Sequence, residues 1–98
     1  MQRAEVIDRL RKNEDAIRAL GVATLYVYGS YARDEAGPSS DVDVFIDKDP
    51  VKTFGFMEYT GLIIMLEDLF GTDVDVATRT GLHPLLRADI EASAIKVF

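Results

Sequence analysis

LYVYGSYARDEAGPSSDVDVFI, residues 25–46, is the stretch that decides the fold of this chain. It opens inside a run, Val22 to Tyr28, made of β-branched and aromatic residues with only Ala23 and Leu25 favouring helix, and that run reads as a buried strand. Gly29-Ser30 breaks it, Tyr31 to Glu35 have room for one or two helical turns, and Gly37-Pro38-Ser39-Ser40 is a loop by composition. Asp41 to Asp47 then alternate cleanly. Val42, Val44 and Ile46 fall on one face, and Asp41, Asp43, Phe45 and Asp47 on the other.

Outward from this centre the pattern is helical on both sides. Residues 3–20 carry Val6, Ile7, Leu10, Ile17 and Leu20 at helical spacing, with Gly21 as a C-terminal stop. Phe54 to Phe70 form a second long helix closed by Gly71. Leu62, Met65, Leu66, Leu69 and Phe70 share one arc of that helix, while Met57 and Ile64 fall on the opposite side with Glu67 and Asp68. Asp73 to Ala77 alternate again, with Val74 and Val76 inward. Leu82 to Ala94 read as a third long helix with Pro84 in its first turn, and Ile95 to Phe98 as a short edge strand. The expected fold is α+β: a small mixed sheet of three or four strands with helices on one face.

Composition narrows the function. Ninety-eight residues allow a single domain, residues 1–98, around one core. The absence of cysteine excludes a disulfide scaffold and a thiolate zinc site. The longest apolar run, Leu62 to Leu66, is too short for a bilayer, and Arg3 to Glu14 alternate charge with no signal-peptide core. A net charge of −6 and a pI near 4.6 argue against direct binding of nucleic acid. The expectation is a cytoplasmic domain without membrane contact.

The anomaly is the acidic face of two strands. Residues i and i+2 of a strand share a face with Cα atoms about 6.5–7 Å apart, so Asp41 and Asp43 can lean together. Carboxylates at that spacing suit a pair of divalent ions about 3.5–4 Å apart, as used in phosphoryl transfer, although a solvated strand is the plainer reading of the pair alone. Asp75 offers a third carboxylate and a general base. Asp73 is its rival, but its position next to the Gly71 stop suits a turn or cap. Gly29 and Ser30, at the end of a strand and the start of a helical turn, offer backbone amides and a hydroxyl to phosphate, although Gly-Ser is common in ordinary turns. His83, the only histidine, reads as a cap or surface residue; Tyr28 and Tyr31 flank the Gly-Ser turn, where either has a ring able to stack on a base, although packing is the plainer reading; and Asp47 and Asp49 read as a solvated strand end.

Taken together, G-S-x10-D-x-D followed by a strand aspartate resembles the polymerase-β-like nucleotidyltransferase superfamily. More narrowly it is similar to the minimal nucleotidyltransferases (MNT proteins), antitoxin partners of HEPN toxins. The stretch 25–46 carries the resemblance, supported by VDVAT at 74–78 and the segment from Leu82 onward. The resemblance implies that Asp41, Asp43 and Asp75 are catalytic metal ligands, for two Mg²⁺ or Mn²⁺ ions, and that Asp75 also serves as the base. It implies that Gly29 and Ser30 hold the β- and γ-phosphates of ATP, with Arg33 on phosphate or beside the aspartates. Asp34 stands where the family commonly has glycine. The implied activity is transfer of AMP from ATP to a hydroxyl, with release of pyrophosphate. A chain with no room for an acceptor-binding domain needs its acceptor presented by a partner, and the resemblance points to a tyrosine of a HEPN-type toxin, in a hetero-oligomer with it; the outward Met57 and Ile64 equally suit a homodimer. Two other readings stay open: a docking module that neutralises its partner through Met57 and Ile64 without catalysis, and transfer to a small molecule such as an aminoglycoside.

Overall fold

The computed structural model describes residues 1–98. Its elements are α1 (Arg3–Lys12), α2 (Glu14–Ala19), β1 (Val22–Tyr28), α3 (Gly29–Ala32), β2 (Val42–Lys48), α4 (Phe56–Phe70), β3 (Val74–Thr78), α5 (Arg87–Ser93) and β4 (Ile95–Lys96), with a short 3-10 turn at Arg79–Gly81. The four strands form one mixed sheet in the order β3-β2-β1-β4. β1 runs antiparallel to β2 and to β4, whereas β2 and β3 are parallel and joined through α4. No helix is long and apolar enough to cross a membrane.

The alternation read in the strands sets the core. Leu25 pairs with Ile46, Val27 with Val44, and Val44 with Val76, so one face is an unbroken apolar surface. Val6, Leu10, Ile17, Leu62 and Leu66 from the helices close over it and are fully buried. At about 1.5–3 kcal/mol for each large aliphatic side chain removed from water, this layer is the main source of stability. Gly71 ends α4 with φ +67, the left-handed cap that its position predicts.

The other face is not left to water. Phe45 is fully buried although it alternates with aspartates. The Tyr26 ring stacks on it at 4.7 Å between centroids, and the Tyr28 ring is tilted against it at 5.8 Å. The Arg79 guanidinium lies over the Tyr26 and Phe45 rings at 4.9 and 5.0 Å. Its nitrogens also donate to both carboxylate oxygens of Asp47 at 2.8 and 2.9 Å. Thr24 Oγ1 donates to Asp47 as well, and Glu91 of α5 lies 3.6 Å from Arg79. Asp47, expected to be solvated, is therefore tied into a bidentate pair, and Arg79 holds its carboxyl below the usual range.

The short helix expected over 31–35 sits instead at Gly29–Ala32, α4 starts at Phe56 and not Phe54, and two further helices depart more from their expected spans. The helix expected over 3–20 is interrupted at Asn13, whose Nδ2 donates to the Arg9 carbonyl at 2.8 Å. An amide side chain that competes for helix carbonyls weakens the ladder at that point. The helix expected over 82–94 begins only at Arg87, because Pro84 keeps the preceding residues extended and the chain first makes a turn closed by Leu86 N–H on the His83 carbonyl at 2.9 Å. His83 is exposed, and its Nδ1 accepts from Leu85 N–H at 3.2 Å, a local cap.

On α4, Leu62, Leu66 and Phe70 face the sheet, whereas Met57 and Ile64 are 80% and 55% exposed. The double change Met57→Ser, Ile64→Ser is therefore expected to move the melting temperature by no more than about 2 °C, within the small range of surface substitutions. Thermal melts check this; a loss of several degrees would place these side chains in the core.

Candidate functional site

The sheet register brings the acidic residues together. Tyr28 on β1 pairs with Asp43 on β2, and Asp43 pairs with Asp75 on β3. All three alternate away from the valine face, so a tyrosine and two aspartates form a row across three strands. Asp73 precedes β3, where its carbonyl accepts from Val42 N–H at 3.2 Å. The register thus sets Asp75, not Asp73, opposite Asp43. Asp41 lies one residue before β2 begins, exposed, at the same end of the sheet.

The electrostatics follow from this crowding. Burial, the adjacent Asp75 and then Asp41 push the Asp43 carboxyl up to about 6, with Arg33 as the opposing cation. Burial, then Asp43 and Asp75, and then Tyr59 push the Tyr28 hydroxyl up to about 12, so it stays a hydrogen-bond donor at neutral pH. Sequence alone makes packing the plainer role for Tyr28; its place in this row comes from the β1–β2 register, which a single strand does not reveal.

Gly29 follows Tyr28 directly and opens α3 with φ +71. A Cβ at this position would collide with the Asp43 carboxylate. The glycine therefore does two things: it takes the left-handed backbone turn, and it lets that backbone pass against the acid. Ser30 is half-buried beside it, and Arg33 is exposed one turn later, 3.3 Å from Glu35. Asp34 has φ +59, the left-handed conformation that glycine adopts without strain and aspartate tolerates.

The donor set suits a hard cation. Asp43 and Asp75 present only carboxylate oxygens, and burial together with the neighbouring Asp75 makes the charged form of Asp43 costly without a cation. Asp41, exposed at the strand's mouth, does not close with them into a ready three-ligand cage. Acids aligned next to a close-approach glycine and a serine hydroxyl can orient a phosphate ester and take a proton from an attacking hydroxyl.

Residues 5–97 match the nucleotidyltransferase domain family. A candidate protein adenylyltransferase of Methanocaldococcus jannaschii is 33% identical over 96 residues, covering 96% of each chain. The solved structure of a candidate minimal nucleotidyltransferase superposes with a TM-score of 0.71 at 30% identity, over 97% of this chain and 95% of that one. The fold also recurs, at TM-score 0.59 and 18% identity, in the complex of a tri-AMPylated Shewanella oneidensis HEPN toxin with its MNT antitoxin, over 89% of this chain and 70% of that one.

Proposed function

The chain belongs to the nucleotidyltransferase domain family, in its minimal nucleotidyltransferase group, and from that premise we propose that it transfers AMP from ATP to a tyrosine hydroxyl of a HEPN-type toxin and so acts as an antitoxin. The observation that carries this reading is the register that sets Asp75 beside Asp43 at the level of Gly29. Two further facts support it: relatives of nearly the same length carry the name of protein adenylyltransferases, and a chain of the same fold is held by a HEPN toxin bearing AMP. An ATP-dependent partner of this kind belongs in the cytoplasm.

The chemistry is a displacement at the α-phosphorus. The acceptor oxygen forms a bond to it, the bond to the bridging oxygen breaks, and pyrophosphate departs with the electron pair. Asp75, more exposed than Asp43, takes the hydroxyl proton. Gly29, Ser30 and Arg33 orient the β- and γ-phosphates. Asp41, Asp43 and Asp75 would hold the Mg²⁺ or Mn²⁺ ions, which when bound neutralise charge on the phosphates and the leaving group. Asp43 and Asp75 also fix the side of the sheet from which the acceptor arrives.

The test is mass spectrometry of the HEPN-type partner after incubation with this protein, ATP and Mg²⁺, with added AMP units as the expected result. Asp75→Asn is expected to keep ATP binding and lose transfer by about two to four orders of magnitude, the usual loss when a general base is removed. Asp73→Asn should stay within a few-fold of wild type. The reverse ranking would show that β3 presents the other aspartate. Toxin neutralised without any AMP added would instead favour docking alone, the reading to which exposed Met57 and Ile64 lend themselves.

A further inference from the structure

A cavity of about 480 Å³ opens beside the carboxylate row, bounded on one side by Tyr28, Gly29 and Arg33. Leu86, Asp89, Ile90 and Ser93, from α5 and the turn before it, form the other side. Its volume falls in the range of about 300–1,000 Å³ typical of small-molecule sites. The two sides differ chemically. The first has the close-approach glycine and a cation. The second has two aliphatic side chains, a carboxylate with no ion-pair or hydrogen-bond partner, and a serine whose hydroxyl proton is already given to the Asp89 and Ile90 carbonyls at 3.2 and 3.5 Å. That side offers acceptors and apolar surface but no donor or positive charge. Phosphate is repelled there, whereas a flat heterocycle bearing an amino group is accommodated.

We infer that this cavity receives the nucleoside end of the nucleotide, with the base between the Tyr28 ring and Leu86 and Ile90 and its amino group directed to Asp89, while the phosphates lie at the Gly29–Arg33 end. The inference rests on the nucleotidyltransferase reading and adds to it a base-selecting element built from α5. It makes the site favour bases that carry an exocyclic amine, adenine among them, over uracil, which has none.

Calorimetric titration of the full chain with Mg²⁺ complexes of ATP, UTP and tripolyphosphate tests it. Leu86 is 53% exposed, so Leu86→Asp leaves the core intact, with a melting temperature close to wild type. It is expected to weaken ATP about tenfold while tripolyphosphate stays within about twofold, because only the nucleoside meets the new charge. Asp89→Ala should reduce the preference for ATP over UTP about tenfold, the effect of one hydrogen bond to a charged group. Equal effects of Leu86→Asp on ATP and tripolyphosphate, or none on either, would overturn the inference. Wild-type protein that binds neither ATP nor tripolyphosphate would instead overturn the nucleotidyltransferase reading beneath it.

Discussion

Asparagine at position 43 is expected to raise the melting temperature of the metal-free protein at neutral pH and at the same time to cut AMP transfer severely. Burial and the neighbouring Asp75 push the Asp43 carboxyl up to about 6 in the folded protein, above the value of an aspartate in an unfolded chain. The sign follows from linkage. Below the unfolded value both states are protonated and the acid is harmless; as pH rises through about 6, the folded state must carry a charge that the unfolded state carries more easily, and stability falls. Asparagine removes that loss. Because Asp43 is only half-buried, solvent screening leaves about 1 kcal/mol of the effect, some 4–8 °C for a chain of this size. Thermal melts in chelator at pH 5 and pH 7.5 check it: the gap between variant and wild type should open at the higher pH. Parallel pH profiles would show that neither burial nor Asp75 raises the Asp43 carboxyl in the folded protein. Transfer should fall by about two to four orders of magnitude, since the variant loses an anionic oxygen from the centre of the site.

The second large effect is expected at Gly29, and alanine is enough to produce it. Blocked approach of phosphate alone would let alanine pass and make valine fail. The structure sets a stricter limit, because any Cβ meets the Asp43 carboxylate and φ is +71. A non-glycine residue in that conformation costs about 1–2 kcal/mol, and the collision adds to it. Gly29→Ala should therefore lower stability by about 2–3 kcal/mol in urea unfolding and remove most ATP binding. Removing the carboxylate as well, in the double variant with Asp43→Ala, should recover at least about 0.5 kcal/mol of the stability, the coupling expected of residues in contact. Strict additivity would show that backbone strain acts alone. ATP binding retained in Gly29→Ala would show that nucleotide does not approach this turn.

Both effects grow from features visible in the sequence to different degrees. Alternation in residues 41–47 assigned Val42, Val44 and Ile46 to the core and Asp43 to the other face, because a strand's two-residue period is local information. The outward position of Met57 and Ile64 followed from helical phase in the same way. What escaped is long-range. The Arg79–Asp47–Thr24 cluster over Tyr26 and Phe45 depends on which residue of β1 faces which of β2 and on the turn after β3. Asp47 alone looks like any acid at a strand end. The cavity against α5 was hidden likewise, since it exists only where the last helix returns to β1. Asn13 and Pro84 do carry local signals, an amide able to bond its own helix and a ring that restricts its predecessor, but the apolar periodicity runs on through both positions.

The two-sided burial of β2 also bears on which changes of chain length the protein tolerates. Val42, Val44 and Ile46 are fully buried on one side, and Phe45 is fully buried on the other. Inserting or deleting a single residue anywhere in this strand exchanges the two sides downstream, turning valines towards the acids and an acid towards the core. Variation in length is therefore closed to the strand that holds Asp43. Between α3 and β2 the chain runs through Arg33 to Ser40, exposed for most of its length, and there residues can be added or removed without resetting the frame. Lineages that change acceptor are expected to differ in the length of this segment at the mouth of the site, and to keep the count of residues from Val42 to Lys48 fixed.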